Sequence, residues 1–415
     1  MVDEVMRHLL PLCKDVLADT PILVLQGARQ VGKSTLARHV AGPSAMQVTL
    51  DDRLARTFAQ EDPEQFLRQN PDGLLVIDEA QRAPELALAL KAAVDADRRP
   101  GRFLLTGSVD LLQTRGLGDS LAGRKETVRL HPFSMGEVER RAQPEDFVSW
   151  LLAGADGRFD TGGDLPALVT QGGLPEPVKR GPGRRAARWF ADYIDALVQH
   201  DAADLSDGPF ADHLLATLRW LAAQGQTELV KARLARHLGV SESTADRYLR
   251  LLWSMFLGQT FPSWGLGTLG RETRRPKVAL FDTGLASYLT AFTAERATSV
   301  GGREYYGLLL EQLVGIELTK QSEWSAQRYR VYHFRHRDTE VDFVVELADG
   351  SLVLIEVKAS LSVDASSWSR ISTLKDQLGD RVRAGVVLYT GSQTVPVRDW
   401  LKVMPVWALW RHPPA

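Results

Sequence analysis

One segment constrains this chain more than any other. The apolar run Ile22-Leu23-Val24-Leu25 leads into Gly27-Ala28-Arg29-Gln30-Val31-Gly32-Lys33-Ser34, and Thr35 opens a helical pattern behind it. The spacing G-x-x-x-x-G-K-[ST] between a strand and a helix is that of a loop built to hold phosphate. Backbone N–H groups of such a loop and of the following helix N-terminus cradle the β-phosphate, and glycines permit close approach. In this pattern Lys33 adds charge at the β- and γ-phosphates and the Ser34 hydroxyl is a ligand for Mg²⁺. Residues 27–35 are therefore the candidate phosphate-binding set, and the chain around them is expected to form a parallel sheet covered by helices.

The rest of the first block agrees. Short apolar runs at residues 22–25, 46–50, 74–77, 103–106 and 127–130 alternate with helical stretches, as in a parallel sheet buried on both faces. The third run ends in Asp78 and Glu79. A buried strand delivering two acids at its C-terminal tip suits a site at the sheet's carboxyl edge, with Asp78 in the Mg²⁺ shell and Glu79 orienting or deprotonating the attacking water. The acidic water ligand points to hydrolysis. Ser108, just past the fourth strand tip, is either a γ-phosphate sensor or a plain loop serine. Arg124, shortly before the last strand, is either an arginine finger serving a neighbouring subunit, which implies a homo-oligomer, or a solvated side chain.

The segments GARQVGKST, LLVIDEAQRAPEL, FLLTGSVDLL and LAGRKETVRLHPFSMGE resemble the successive motifs of a large prokaryotic family of AAA-type (AAA+ superfamily) ATPases, and QGGLPEPV continues the likeness. Members of that family carry a C-terminal domain of unknown function, thought to be related to restriction-endonuclease-like nucleases. The resemblance implies an AAA-type core that binds ATP with Mg²⁺. It implies no settled biological role.

Length and charge set limits on the remainder. The chain has 415 residues, with 50 Lys and Arg against 52 Asp and Glu. A formal net charge of −2 excludes indiscriminate electrostatic adhesion to nucleic acid or membrane but leaves a local DNA site open. The single cysteine, Cys13, excludes a disulfide scaffold and fits a reducing cytoplasm. No apolar run approaches the ~18–20 residues that span a bilayer. Changes of periodicity divide the chain into an ATPase block (1–145), a linker with a helical segment (146–209), a helix-turn-helix block (210–285) and a C-terminal block (286–415). The expected fold class is a multidomain α/β protein: a P-loop parallel-sheet core, a helical or winged-helix middle, and a restriction-endonuclease-like α/β end.

In the middle block, residues 227–238 and 242–257 read as two helices around Gly239-Val240-Ser241. Gly239 suits a left-handed C-terminal position and Ser241 an N-cap. Residues 258–281 would supply a hairpin wing with Arg271, Arg274, Arg275 and Lys277 near its tip. Such a unit reads DNA with its second helix, but that helix offers only Arg247 and Arg250 against Glu242 and Asp246, so a structural or protein-binding role is equally open. Two further basic clusters lie at residues 179–188 and 328–337. The second alternates Arg with Tyr and Phe, the pattern of a strand with one core face, and His333 and His336 read as strand residues within it.

The C-terminal block contains Val341-Asp342-Phe343, a loop Ala348-Asp349-Gly350, and Glu356-Val357-Lys358. A three-residue loop with Gly350 in the left-handed bulge position sets Leu347 opposite Ser351. Phe343 then faces Ile355 and Val345 faces Val353, an unbroken apolar face, which sets Asp342 opposite Glu356 on the other side. Two carboxylates so close repel unless a divalent cation, Mg²⁺ or Mn²⁺, lies between them. Lys358 would orient or activate water. This is the D…E-x-K arrangement of PD-(D/E)XK nucleases. Glu311, inside the apolar helix pattern near Gly307, is the candidate further acid, because its unpaired burial would be costly. The alternative is an ordinary hairpin whose Asp, Glu and Lys form surface ion pairs.

Overall fold

The computed structural model describes residues 4–109, 121–155, 157–198, 211–265, 275–336 and 339–413, and Arg271, Arg274 and Arg337 of the basic clusters lie outside these. The chain forms two compact units: Met1–Phe133 with Leu252–Leu257, and Ser134–Leu251 with Gly258–Ala415. The stretch after Phe133 belongs with the second unit for a physical reason. Ser134 and Glu137 form a reciprocal capping box on the short helix Met135–Val138. The Met135 N–H then donates to Glu317 and the Phe147 N–H to Gln321, each at 2.9 Å, which fastens this stretch to the long helix Arg303–Gln321 of the second unit.

In the first unit the strands β1 (Ile22–Gln26), β2 (Met46–Thr49), β3 (Leu75–Asp78), β4 (Phe103–Gly107) and β5 (Lys125–Arg129) form one sheet. Its order is β2-β3-β4-β1-β5 and every pairing is parallel. β1 and β4 are buried along their whole length, whereas the edge strand β2 alternates between half-buried and exposed positions. That is the difference expected between strands covered on both faces and a strand at the rim. Ile22, Val24, Leu75, Ile77, Phe103 and Leu105 pack with Phe66, Leu86 and Leu90 into one core. The carboxyl tips of β1, β3 and β4 are thereby held side by side.

The second unit begins with short helices. Leu165–Gln171 ends at Gly172, whose backbone is left-handed (φ 67°). A Cβ there would lie 2.5 Å from both the Asp282 carboxylate and the Gly284 nitrogen. Asp282 accepts from the Gly173 N–H (2.7 Å) and caps the helix Thr283–Leu289 through the Leu285 N–H. The Gln171-Gly172-Gly173-Leu174 and Phe281-Asp282-Thr283-Gly284 segments are thus one interlocked joint.

Between them lies a helix–strand–helix–helix–strand–strand module. It runs through Ala211–Gln224, β6 (Thr227–Glu228), Lys231–Leu238, Glu242–Ser254, β7 (Gly258–Phe261) and β8 (Lys277–Leu280), with an antiparallel sheet ordered β6-β8-β7. Gly239 takes the left-handed C-cap (φ 67°) and Ser241 accepts from the Thr244 N–H, as the sequence anticipates.

The C-terminal region is a six-stranded mixed sheet. Its strands are β9 (Tyr329–His336), β10 (Thr339–Leu347), β11 (Leu352–Lys358), β12 (Val382–Tyr389), β13 (Val395–Arg398) and β14 (Leu401–Pro405), in the order β13-β14-β12-β11-β10-β9. On one face Phe343 packs against Phe261, and both rings lie where a Cβ on Gly315 of the helix Arg303–Gln321 would have to go. On the other, Val344 and Leu354 share a core with Ile371 and Leu374 of the helix Ser369–Leu378. In β9, Arg328, Arg330 and Arg335 border or alternate with buried Tyr329, Tyr332 and Phe334, so this basic cluster is a solvated sheet face. Among the described residues no helix is long and apolar enough to cross a membrane.

Candidate functional sites

The first site forms where the loop after β1 meets the tips of β3 and β4. Gly27 must be glycine, because a Cβ would lie 2.2 Å from the Leu130 carbonyl oxygen. Gly32 is left-handed (φ 95°) and starts the helix Lys33–Ala41. Lys33 is buried and its ammonium folds back to donate to the carbonyls of Gly27 and Ala28, both at 3.0 Å. The Ser34 hydroxyl lies 3.0 Å from both oxygens of Asp78. Val31 is buried within the loop, Arg29, Gln30 and Thr35 lie nearer its surface, and Thr35 accepts from Arg38. A hydroxyl and a carboxylate held this close are hard oxygen donors of the kind Mg²⁺ takes.

Glu79, in left-handed backbone (φ 56°), sits against two partners. Ser108 donates to its Oε2 at 3.0 Å and Gln81 donates to the same oxygen. Ser108 therefore stands at the Glu79 carboxylate. Three further residues belong to this site. Thr106, fully buried at the end of β4, donates to Asp78 and accepts from the Glu79 N–H (3.2 Å). Gln81 also donates to Ser108 (3.1 Å). Arg7, far upstream, donates to the carbonyls of Val31 (2.8 Å) and His131 (2.7 Å), bracing the loop from behind. Thr106 and Gln81 lie inside the segments FLLTGSVDLL and LLVIDEAQRAPEL, which were the signal that could have found them.

Arg124 is not a free side chain. Its guanidinium holds Asp95 of the same chain in a two-pronged pair, Nε to Oδ1 at 2.7 Å and Nη2 to Oδ2 at 2.8 Å. The pair lowers the Asp95 pKa and raises that of Arg124. A finger role would first require that pair to open.

The C-terminal carboxylates are arranged differently from expectation. The hairpin itself has the anticipated register, Phe343 opposite Ile355 and Val345 opposite Val353, with Gly350 left-handed (φ 80°) in the loop. A bulge interrupts β10 between Val341 and Val344 in its pairing with β9, while the register against β11 carries Asp342 to the level of Glu356. The Asp342 Oδ2 accepts from the Val357 N–H at 2.8 Å. Glu356 is paired with Lys358, Oε1 to Nζ at 2.6 Å. Glu311 reaches Lys277 at 2.7 Å and accepts from Gln226 at 3.1 Å.

Lys277 is thus the largest correction to the sequence-based picture. Expected near an exposed wing tip, it lies on β8 with only 4% of its side chain accessible. Its ammonium lies 2.7 Å from Glu311, 2.8 Å from Glu340 and 4.0 Å from Asp342. Among the described residues no three His, Cys, Asp or Glu side chains are grouped so as to hold a metal ion. Glu311 and Asp342 instead share the Lys277 ammonium, and Glu356 beside them takes Lys358.

Burial shapes the charges here. It pushes Glu311 up to about 8, reinforced by Asp342 and opposed by Lys277. Burial and Asp342 push Glu356 up to about 7, against Lys358. Burial also raises Asp342. For Lys277 burial works to lower the pKa, but Glu311, Asp342 and Glu340 outweigh it and raise it. His333 is held down to about 4 by burial and then by Lys277. It is a neutral strand residue whose Nε2–H donates to the Arg275 carbonyl (3.0 Å).

The sheet order, the loop after β1 and the acidic tip of β3 give the first unit a parallel-sheet P-loop core. Residues 19–139 match the family model described as an AAA domain. Residues 162–296 and 306–409 match two domains of unknown function, DUF8612 and DUF4143. The chain is 29% identical over 390 residues to the uncharacterized protein Rv2008c of Mycobacterium tuberculosis, covering 93% of this chain and 80% of that one. The uncharacterized protein Mb2031c of Mycobacterium bovis matches equally. Among solved structures, the RuvB Holliday junction branch migration motor of Thermotoga maritima is 17% identical, covering 61% of this chain and 87% of that one at a TM-score of 0.30. AMPPCP-bound DnaA of Aquifex aeolicus is 12% identical, with coverages of 59% and 86% and a TM-score of 0.29.

Proposed function

We propose that this protein binds and hydrolyses Mg²⁺-ATP in its first unit and uses the nucleotide state to control a DNA-binding second unit. The carrying observation is the Ser34–Asp78 contact of 3.0 Å beneath a complete phosphate loop. Ser34 and Asp78 would hold Mg²⁺ there, and the ion would supply charge neutralisation for the phosphates. Residues 27–35 bind the phosphates, Lys33 turns from its loop carbonyls to them, and Glu79 orients the attacking water. Lys33→Ala should abolish binding of a fluorescent ATP analogue; undiminished binding would refute the assignment.

Arg124 acts from a neighbouring protomer once the Asp95 pair opens, which makes a homo-oligomer the active form. Mixing Lys33→Ala with Arg124→Ala protein should then restore turnover that neither shows alone. No recovery in the mixture rejects the finger.

The module from Ala211 to β8 has the element order of a winged helix, and Lys231, Arg233, Arg236, Arg247 and Arg250 are exposed on its two middle helices. We assign the DNA contact to this face, and the C-terminal PD-(D/E)XK-like domain to binding without cleavage. Replacing Arg233, Arg236, Arg247 and Arg250 should abolish a salt-dependent DNA shift. A second reading, a nucleotide switch for a protein partner, is favoured by Asp246, which pairs with both Lys231 (2.5 Å) and Arg250 and so reduces the charge presented to DNA. A DNA shift indifferent to those substitutions would select it. Mg²⁺- or Mn²⁺-dependent cutting that Glu356→Ala removes would overturn the non-cleaving assignment.

A further inference from the structure

Four acids converge in the second unit. Glu311 comes from the long helix, Glu340 and Asp342 from β10, and Glu356 from β11. In a metal-dependent nuclease such acids owe their proximity to a divalent cation. Here another cation is already among three of them. Lys277 arrives from β8, in a different structural module, and its ammonium touches Glu311 and Glu340 and stands 4.0 Å from Asp342. The neighbouring groups close it in: Gln226 donates to Glu311, and His333 presents a neutral ring nearby. Glu356, the remaining acid, is taken by Lys358, with the Arg370 guanidinium at 4.0 Å.

We propose that the Lys277 ammonium is the resident cation of this carboxylate cluster, so that the intact chain binds no divalent metal there. The geometry of β8 makes the occupancy permanent. Lys277 pairs across the sheet with Glu228 on one side and Phe261 on the other, so its backbone is fixed by two strands. A divalent ion placed between Glu311 and Asp342 would lie within the first contact distance of the ammonium. Like charges at that distance and burial exclude each other. The Glu356 Oε2 has no hydrogen-bond partner among the described residues. The cluster is then an ionic joint that fastens the wing strand to the C-terminal sheet. This deepens the non-cleaving assignment, and the two fail separately because one is read by metal binding and the other by DNA cutting.

The test is Mn²⁺ binding to the full chain without nucleotide, followed by electron paramagnetic resonance of the free ion. Wild type and Glu356→Gln should take up the same amount of Mn²⁺. Lys277→Met should gain one site, bound roughly tenfold or more tightly than anything in wild type, and Lys277→Met/Glu356→Gln should lose it. Mn²⁺ lost from the otherwise wild-type chain on Glu356→Gln, with Lys277 in place, would overturn the proposal. So would a folded Lys277→Met protein that gains no site. Should Lys277→Met not fold, the wild-type and Glu356→Gln pair still decides, and Lys277→Met/Glu340→Gln should fold because it removes one charge of each sign and keeps Glu311 and Asp342. A folded Lys277→Met/Glu340→Gln protein that binds Mn²⁺ no better than wild type counts against the proposal.

Discussion

Two groups of carboxylates in this chain differ in what surrounds them. Asp78 and Glu79 are held by neutral donors, the hydroxyls of Ser34, Thr106 and Ser108 and the amide of Gln81. Their negative charge is positioned but not cancelled. Glu311, Glu340 and Glu356 are held by the ammonium groups of Lys277 and Lys358. At an effective dielectric constant of about 20, a divalent ion about 4 Å from an ammonium is repelled by about 8 kcal/mol, scaling the unit-charge value. Hydroxyl partners impose no such penalty. Acid spacing alone therefore does not make a metal site; the sign of the third partner decides it.

The most severe challenge to this contrast is Glu79→Gln. If the first group works on water, turnover should fall by about 10²- to 10⁴-fold with nucleotide still bound, as measured by phosphate release. Turnover near wild type would leave the group without its role. Next comes a pair of substitutions read by chemical denaturation. Lys277→Met should destabilise the second unit by about 3–5 kcal/mol, since it strands buried acids. Asp78→Asn removes a charge whose partners are hydroxyls and should cost only about 1 kcal/mol. Equal losses would erase the distinction between ionic and neutral partnering.

A smaller effect is expected from pH. Glu311 and Glu356 are raised from 4.5 to about 8 and about 7, so the folded chain binds more protons than the unfolded one across that interval. Stability should therefore decline as pH rises through it. His333, lowered from 6.5 to about 4, has the opposite sign and loses stability as pH falls through its own window. Between pH 6.5 and 8 the Glu311 and Glu356 carboxyls titrate, and Glu311→Gln should flatten that limb of a Tm–pH curve. An unchanged slope would mean the cluster is already neutralised otherwise. The mildest change is Gln81→Ala, which loosens Glu79 and should lower kcat roughly tenfold with KM for ATP unaltered. A change in KM alone would make Gln81 a nucleotide contact.

How much of this could be read from the sequence follows from the range of the interactions. The phosphate loop, the five parallel strands and the hairpin register are local patterns, and each is fixed by spacing or by alternation of apolar residues. The bulge before Val344 is not, because Val341-Asp342-Phe343 alternates as well as any regular strand. Lys277 was the least legible. It follows Arg274, Arg275 and Pro276 and resembles a solvated tip, and only the fold brings Glu311 and Glu340 to it. Thr106, Gln81 and Arg7 were missed for the same reason: their roles are contacts with residues elsewhere in the first unit.

The contrast between the two groups is tested most directly by counting bound Mn²⁺ per chain in the presence of ATP. One ion is predicted, dependent on nucleotide, lost on Asp78→Asn and indifferent to Glu356→Gln. A second ion that survives Asp78→Asn and disappears with Glu356→Gln would contradict it.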